Sequence, residues 1–279
     1  MKQTEECLIL KYMIRGFKII DSHCHIYPDK VAEKASGSIS AFYGGEPVRY
    51  NGSLGSLLTA GKTAGIDRFI VQSVATTPNH AESINRFIAE KVNESGGKLI
   101  GLGTLHPDSK NIAAEIKHIK ELGLKGVKLH ADIQRIAIND PRCYKIYEIL
   151  EGGLPVLLHT GDSRYNYSNP DNLIPVLKDF KNLTVVGAHF GGWSVWEEAA
   201  RKLARFENLY VDTSSTFGFK GIDFTKEILS KHDKDRVLFG SDYPMWDANA
   251  EIEAILSLGL SDGQLEKIFS KNCARVYGL

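Results

Sequence analysis

The stretch Phe17-Lys18-Ile19-Ile20-Asp21-Ser22-His23-Cys24-His25 decides how the chain is read. Its apolar start reads as a buried β-strand. On a strand, side chains at i and i+2 share a face. His23 and His25 therefore point the same way, close enough to grip one metal ion, and neutral imidazole is a favoured ligand for zinc and other transition metals. Two histidines two apart also arise by chance or as a hydrogen-bonded strand end. The pair gains meaning only if distant segments bring further ligands to it.

Working outward, eight apolar strand candidates follow one another, at 17–21, 68–74, 99–105, 126–130, 155–159, 184–189, 209–212 and 237–242. Stretches of helical period lie between them, at 81–93, 112–122, 144–152, 173–180, 195–206 and 224–231, with 251–258 and 262–272 after the last strand. Alternating strands and helices imply parallel pairing by right-handed crossovers. Near-continuous apolar strands fit a sheet covered on both faces. Eight such units make an α/β chain of the closed (β/α)8 TIM-barrel class. A doubly wound open sheet is the alternative, but no glycine-rich nucleotide fingerprint follows the first strand. With no linker signature, residues 16–279 read as one domain and 1–15 as an N-terminal extension, either a loose tail or a strand docking on a neighbour. The longest connection, from Ile26 to about Gly52, carries Phe42-Tyr43-Gly44-Gly45 and would lie over the barrel mouth as a lid or a surface insertion.

The formal net charge of zero gives no global field for nucleic acid or an anionic membrane. Cys7, Cys24, Cys143 and Cys273 lie far apart with no CxxC pair, which reads as free thiols in a reducing compartment. No apolar run is long enough to span a bilayer. Leu8-Ile9-Leu10, preceded by Glu5 and Glu6, is too short for a signal-peptide core, so the expectation is a cytoplasmic protein. The expected partner is a small-molecule substrate, with no nucleic acid and no membrane, and a homodimer is compatible with all of this.

In a parallel barrel, chemistry sits at the C-terminal strand ends. His159 shares parity with Leu157, His189 with Val185 and Gly187, and Asp242 with Leu238 and Gly240. On the fourth strand Val127 and Leu129 must face the helices, which aims Lys128 and His130 into the barrel. Any one of these residues could be a hydrogen-bonded strand end. Together they would need the same accident on five separate strands, so a metal centre is the stronger reading.

His23-Cys24-His25, Leu158-His159-Thr160-Gly161, Gly187-Ala188-His189-Phe190-Gly191-Gly192 and Phe239-Gly240-Ser241-Asp242-Tyr243-Pro244 resemble the amidohydrolase superfamily, in particular its amidohydrolase-related branch with aminocarboxymuconate semialdehyde decarboxylase-like proteins. The resemblance implies that His23, His25, His159 and Asp242 bind a divalent metal ion, with zinc first in line. It makes His189 a second-metal ligand or a catalytic group that polarises the substrate. Lys128 corresponds to a strand-four lysine that is carboxylated and bridges two metals in binuclear members. The reading preferred here is one ion, with Lys128 as an ammonium that binds a substrate carboxylate and His130 as a pocket residue. Asp21 is a candidate brace for a ligand histidine. Arg164 and Trp246, in loops bordering the mouth, are candidate substrate contacts, the first for a carboxylate and the second for an unsaturated or aromatic body. His80 and His118 read as solvated, and His232 as a cation at a helix C-terminus.

Such a centre acidifies a bound water. Asp242 could take its proton and His189 could hydrogen-bond the substrate carbonyl. The first reading is therefore a metal-dependent hydrolase acting on an amide, ester or lactone of a small carboxylated substrate. The alternative is a metal-dependent non-oxidative decarboxylase of an unsaturated or aromatic acid. A third, of another class, is a metal-binding barrel without turnover.

Overall fold

The computed structural model describes residues 16–279; the extension expected over 1–15, with Cys7, lies outside the described residues. β1 (Ile20–His25), β2 (Arg68–Gln72) and β3 (Leu99–Gly101) pair in that order, all parallel. β4 (Gly103–Thr104), β5 (Val127–Leu129), β6 (Val156–Leu158), β7 (Val185–Gly187), β8 (Leu209–Asp212) and β9 (Val237–Leu238) continue in parallel. The run expected as one strand over 99–105 is broken at Leu102, where the chain changes partners. The Leu102 amide donates to the Val71 carbonyl at 2.9 Å and the Gly103 amide to the Gly126 carbonyl at 2.9 Å. The far edge closes onto the first strand, with Ser22 N donating to Phe239 O at 2.9 Å and His25 N to Tyr243 O at 2.7 Å. The chain is thus a (β/α)8 barrel, with β3 and β4 counting as one stave.

Two cores follow from this closure. Ile20, Ile70, Ile100, Leu102, Leu157, Val186, Ala188 and Leu238 fill the barrel, joined by Cys273 and Tyr277 of the last helix. A larger outer core packs the opposite strand faces against the helices. The helix Ile112–Glu121 shows how: Ile112, Ile116 and Ile119 are buried on one stripe, and the Asn111 side chain caps the start by accepting from Ala114 N. Burying each such side chain contributes about 1.5–3 kcal/mol.

The connection after β1 is ordered rather than an irregular loop. It forms a 14-residue helix, Asp29–Phe42, with Ala32 and Ser36 buried against the barrel. Asp29 in its first turn complements the helix dipole. Gly44 and Gly45, at φ 79° and 91°, end it in a backbone region that favours glycine. No described helix is long and apolar enough to cross a membrane.

Candidate active site

Strict alternation along β1 would not deliver the histidine pair. Ile20 faces the barrel interior, so alternation would send Ser22 and Cys24 inward and both histidines outward. A register shift between Asp21 and Cys24 corrects this. Cys24 joins the outer core while His23 and His25 line the cavity at the mouth. The His23 ring is then fixed from behind: Nδ1 lies 2.8 Å from Asp212 Oδ2 at the end of β8. Burial opposes charge on Asp212, but His23, His189 and Ser214 hold its carboxyl well below the usual range. An ionised carboxylate only accepts, so His23 carries its proton on Nδ1 and a lone pair on Nε2.

Asp212 is the functional residue that sequence reading missed. Its signal was present: it ends an apolar run and shares parity with Tyr210, which packs on the interior cluster. The bracing role expected of Asp21 falls to it. Asp21 instead accepts from Ser241 N at 2.9 Å, Ser241 Oγ at 2.5 Å and His23 N at 3.2 Å, tying backbone to backbone.

Asp242 arrives through a left-handed turn, φ 58°, beyond the end of β9. Gly240 allows it, because a Cβ there would lie 2.9 Å from the His23 Cβ. Ser215 Oγ donates to Asp242 Oδ2 at 2.5 Å and Trp246 Nε1 donates to Ser215 Oγ at 2.9 Å. Trp246, expected as a substrate contact, lines a neighbouring groove with Phe217 and Gly218 and reaches the site only through Ser215.

His23 Nε2, His25 Nε2 and Asp242 Oδ1 converge, at 3.2, 3.4 and 3.9 Å from one another. Ligands about 2.0–2.1 Å from a tetrahedral ion lie about 3.3 Å apart. Burial pushes His25 well below the usual imidazole range, so it is a neutral donor. Its Nδ1 and both amide atoms of Gln72, its partner across β2, are buried without a hydrogen-bond partner. The triad therefore fits a divalent ion. His130, Asp132 and His159 form a second cluster with ligand atoms within 4.8 Å of one another. Here the imidazoles are stacked, 3.9 Å apart and 6° from parallel. Lone pairs lie in the ring planes, and parallel planes share no point, so these two rings cannot hold one ion as they stand.

His159 faces both groups. Its Nδ1 is 3.2 Å from His189 Nε2, and its Nε2 is 3.8 Å from Asp132 Oδ2. It thus joins the triad only by way of His189, whose ring stacks on His23 at 5.4 Å. His189 does not enter by the expected parity, since Val185 faces the outer core and Val186 and Ala188 the interior. A left-handed turn at His189, φ 58°, swings its ring back into the mouth. Lys128 points inward as expected, with Nζ 3.4 Å from His23 Nε2. Burial lowers its pKa to about 8 against the pull of Asp212 and Asp242, which still leaves it mainly an ammonium at neutral pH.

These groups floor a cavity of about 460 Å³. Val31, Ala35, Ile39 and Phe42 of the lid helix, Val74, Ile133 and Met245 make its walls apolar. His80 is exposed, as expected, and also borders its rim. His232, expected as a cation at a helix C-terminus, is buried, and burial brings its pKa down to about 4. Arg164 is committed elsewhere. It pairs with Asp162 through two bonds of 2.9 and 2.7 Å and donates to the Phe42 carbonyl at 2.5 Å.

No functionally curated protein matches the sequence. Among solved structures, an uncharacterised TIM-barrel protein from Bordetella bronchiseptica superposes with a TM-score of 0.75 at 24% identity, covering 94% of this chain and 98% of that one. A 5-carboxyvanillate decarboxylase from Sphingomonas paucimobilis gives 0.73 at 17%, covering 95% and 100%. A dihydroxybenzoic acid decarboxylase from a Polaromonas species, with bound manganese and an inhibitor, gives 0.73 at 14%, covering 94% and 97%. These likenesses establish the barrel. The model of the family described as Amidohydrolase matches residues 20–279, and the chain therefore belongs to the amidohydrolase family.

Proposed function

We propose that the protein is a divalent-metal-dependent decarboxylase of a small aromatic acid. The observation that carries this reading is the cavity: largely apolar walls around a floor where Lys128, the triad, His159 and His189 gather. Its size suits one substituted ring. Barrels of the same shape named as decarboxylases of 5-carboxyvanillate and dihydroxybenzoate, one of them with manganese, support it. His23, His25 and Asp242 hold the ion; His159, expected from the sequence as the fourth ligand, would join them through Nδ1 in place of its hydrogen bond to His189 Nε2. The ion is a first-row divalent cation, with manganese now ahead of the zinc first expected.

Bound there, such an ion supplies Lewis acidity toward a substrate oxygen. The Lys128 ammonium draws the carboxylate to the floor. The lid helix and Met245 exclude water from around the ring. Asp242 carries the proton: its carboxyl takes one up from water, and as the bond from ring carbon to carboxylate breaks and carbon dioxide leaves, that proton passes to the ring carbon. His189, held by Ser214, donates no proton from Nε2 and orients the neighbouring His159.

Hydrolysis of an amide, ester or lactone is the second reading, favoured by the family's description and by Asp242 standing beside His23 as a base for water. A panel of hydroxybenzoates and small carboxylated lactones, with manganese or zinc added, separates the two. Carbon dioxide release from the aromatic acids is the expected result. Release of a new acid from the lactones, with no carbon dioxide from any member, would overturn it in favour of hydrolysis.

A further inference from the structure

Tyr43, the residue after the lid helix, puts its hydroxyl into the mouth, 3.3 Å from His130 Nε2 and 3.5 Å from His159 Nδ1. The protons around it can be assigned. The Ile133 amide donates to His130 Nδ1 at 3.3 Å, so a neutral His130 has its proton on Nε2, aimed at the phenol oxygen. His189 Nδ1 faces the Ser214 hydroxyl oxygen at 2.8 Å, whose own hydrogen goes to Asp212, and the Ser214 carbonyl at 3.1 Å, so a neutral His189 has its proton on Nδ1 and a lone pair on Nε2. It takes the proton of His159 Nδ1 at 3.2 Å. Coordination through His159 Nδ1 would engage that nitrogen equally. Neither ring offers Tyr43 an acceptor. Its oxygen accepts from His130, and its own hydrogen is free for whatever enters the cavity.

The phenol is also held in place. Its ring meets Trp193 edge-on at 4.9 Å. The Arg164 guanidinium, anchored on the buried Asp162, grips the Phe42 carbonyl and lies 4.7, 5.5, 5.3 and 5.1 Å from the centres of Phe42, Tyr43, Tyr165 and Trp193. Cation–π contacts of this kind join the loop after β6 to the last turn of the lid.

We infer that Tyr43 is a substrate-contacting hydrogen-bond donor, latched over the cavity by Arg164, that selects aromatic acids carrying a second oxygen besides the carboxylate. The inference rests on the aromatic-acid reading above. Metal-loaded wild-type protein and Tyr43→Phe are titrated with salicylate and benzoate by calorimetry; phenylalanine keeps the ring against Trp193 and removes only the hydroxyl. The salicylate dissociation constant is expected to rise about tenfold or more in the variant, and that of benzoate by less than about twofold. Equal salicylate affinity for the two proteins would overturn the role of Tyr43 and leave the aromatic-acid reading standing. Failure of the wild-type protein to bind either acid would overturn both. The latch has its own readout: in Arg164→Gln, amide exchange over residues 29–43 should speed up about tenfold while β6 and β7 keep their protection. Unchanged exchange over 29–43 would remove the latch.

Discussion

Two sides of the barrel mouth carry the same residue types, two histidines and an aspartate, at similar spacing, and they are built for different tasks. In the His23, His25, Asp242 group the imidazoles are tilted 46° and their Nε2 atoms meet at 3.2 Å. In the His130, Asp132, His159 group the imidazoles lie flat on each other, and Asp132 accepts from Ser168 Oγ at 2.6 Å. Composition is the same; the direction of the lone pairs is not. A ligand set is therefore made by whatever turns the rings. On the first side that is the β1 register shift and the Asp212 brace. On the second, the Ile133 amide holds His130 with its Nε2 toward Tyr43.

The comparison can be broken at several points. Asp242→Asn removes the carboxylate proposed as both ligand and proton carrier, and turnover of an aromatic acid should fall by about 10²–10⁴-fold, measured beside an unchanged circular dichroism spectrum. Undiminished turnover would remove Asp242 from its role. Asp212→Asn touches no ligand atom but frees the His23 ring; metal affinity, read by competition with a chelator, should fall by about 10–100-fold. Gly240→Ala forces a methyl against the His23 Cβ and should cost about 1–3 kcal/mol in denaturant unfolding, which tests how tightly the triad's backbone is packed. The smallest effect sharpens the contrast most: Asp132→Asn should change metal affinity by less than about twofold. A loss as large as that of Asp212→Asn would mean that the stacked side holds metal after all.

Much of this was legible in the chain. The apolar runs gave the staves because each is buried on both faces, and Lys128 could be oriented since Val127 and Leu129 had to meet the helices. What stayed hidden sits where the backbone leaves the strand. His23, His189 and Asp242 are aimed by a register shift and two left-handed turns, and period-two arithmetic stops at such points. Arg164 reads as a carboxylate grip from sequence, but its carboxylate, Asp162, is two residues away in the same loop. Trp246 borders the right loop yet turns to the neighbouring groove because Gly218 leaves room for its ring; a Cβ there would lie 2.6 Å from it.

We propose that one divalent ion sits on His23 Nε2, His25 Nε2 and Asp242, with His130 and Asp132 outside its shell. Crystals of the manganese-loaded protein, measured at a wavelength where manganese scatters anomalously, test it directly. A single strong peak is expected among those three side chains, with any density from His159 approaching through Nδ1. A peak between Asp132 and the stacked rings, with the His23/His25 pair bare, would contradict it.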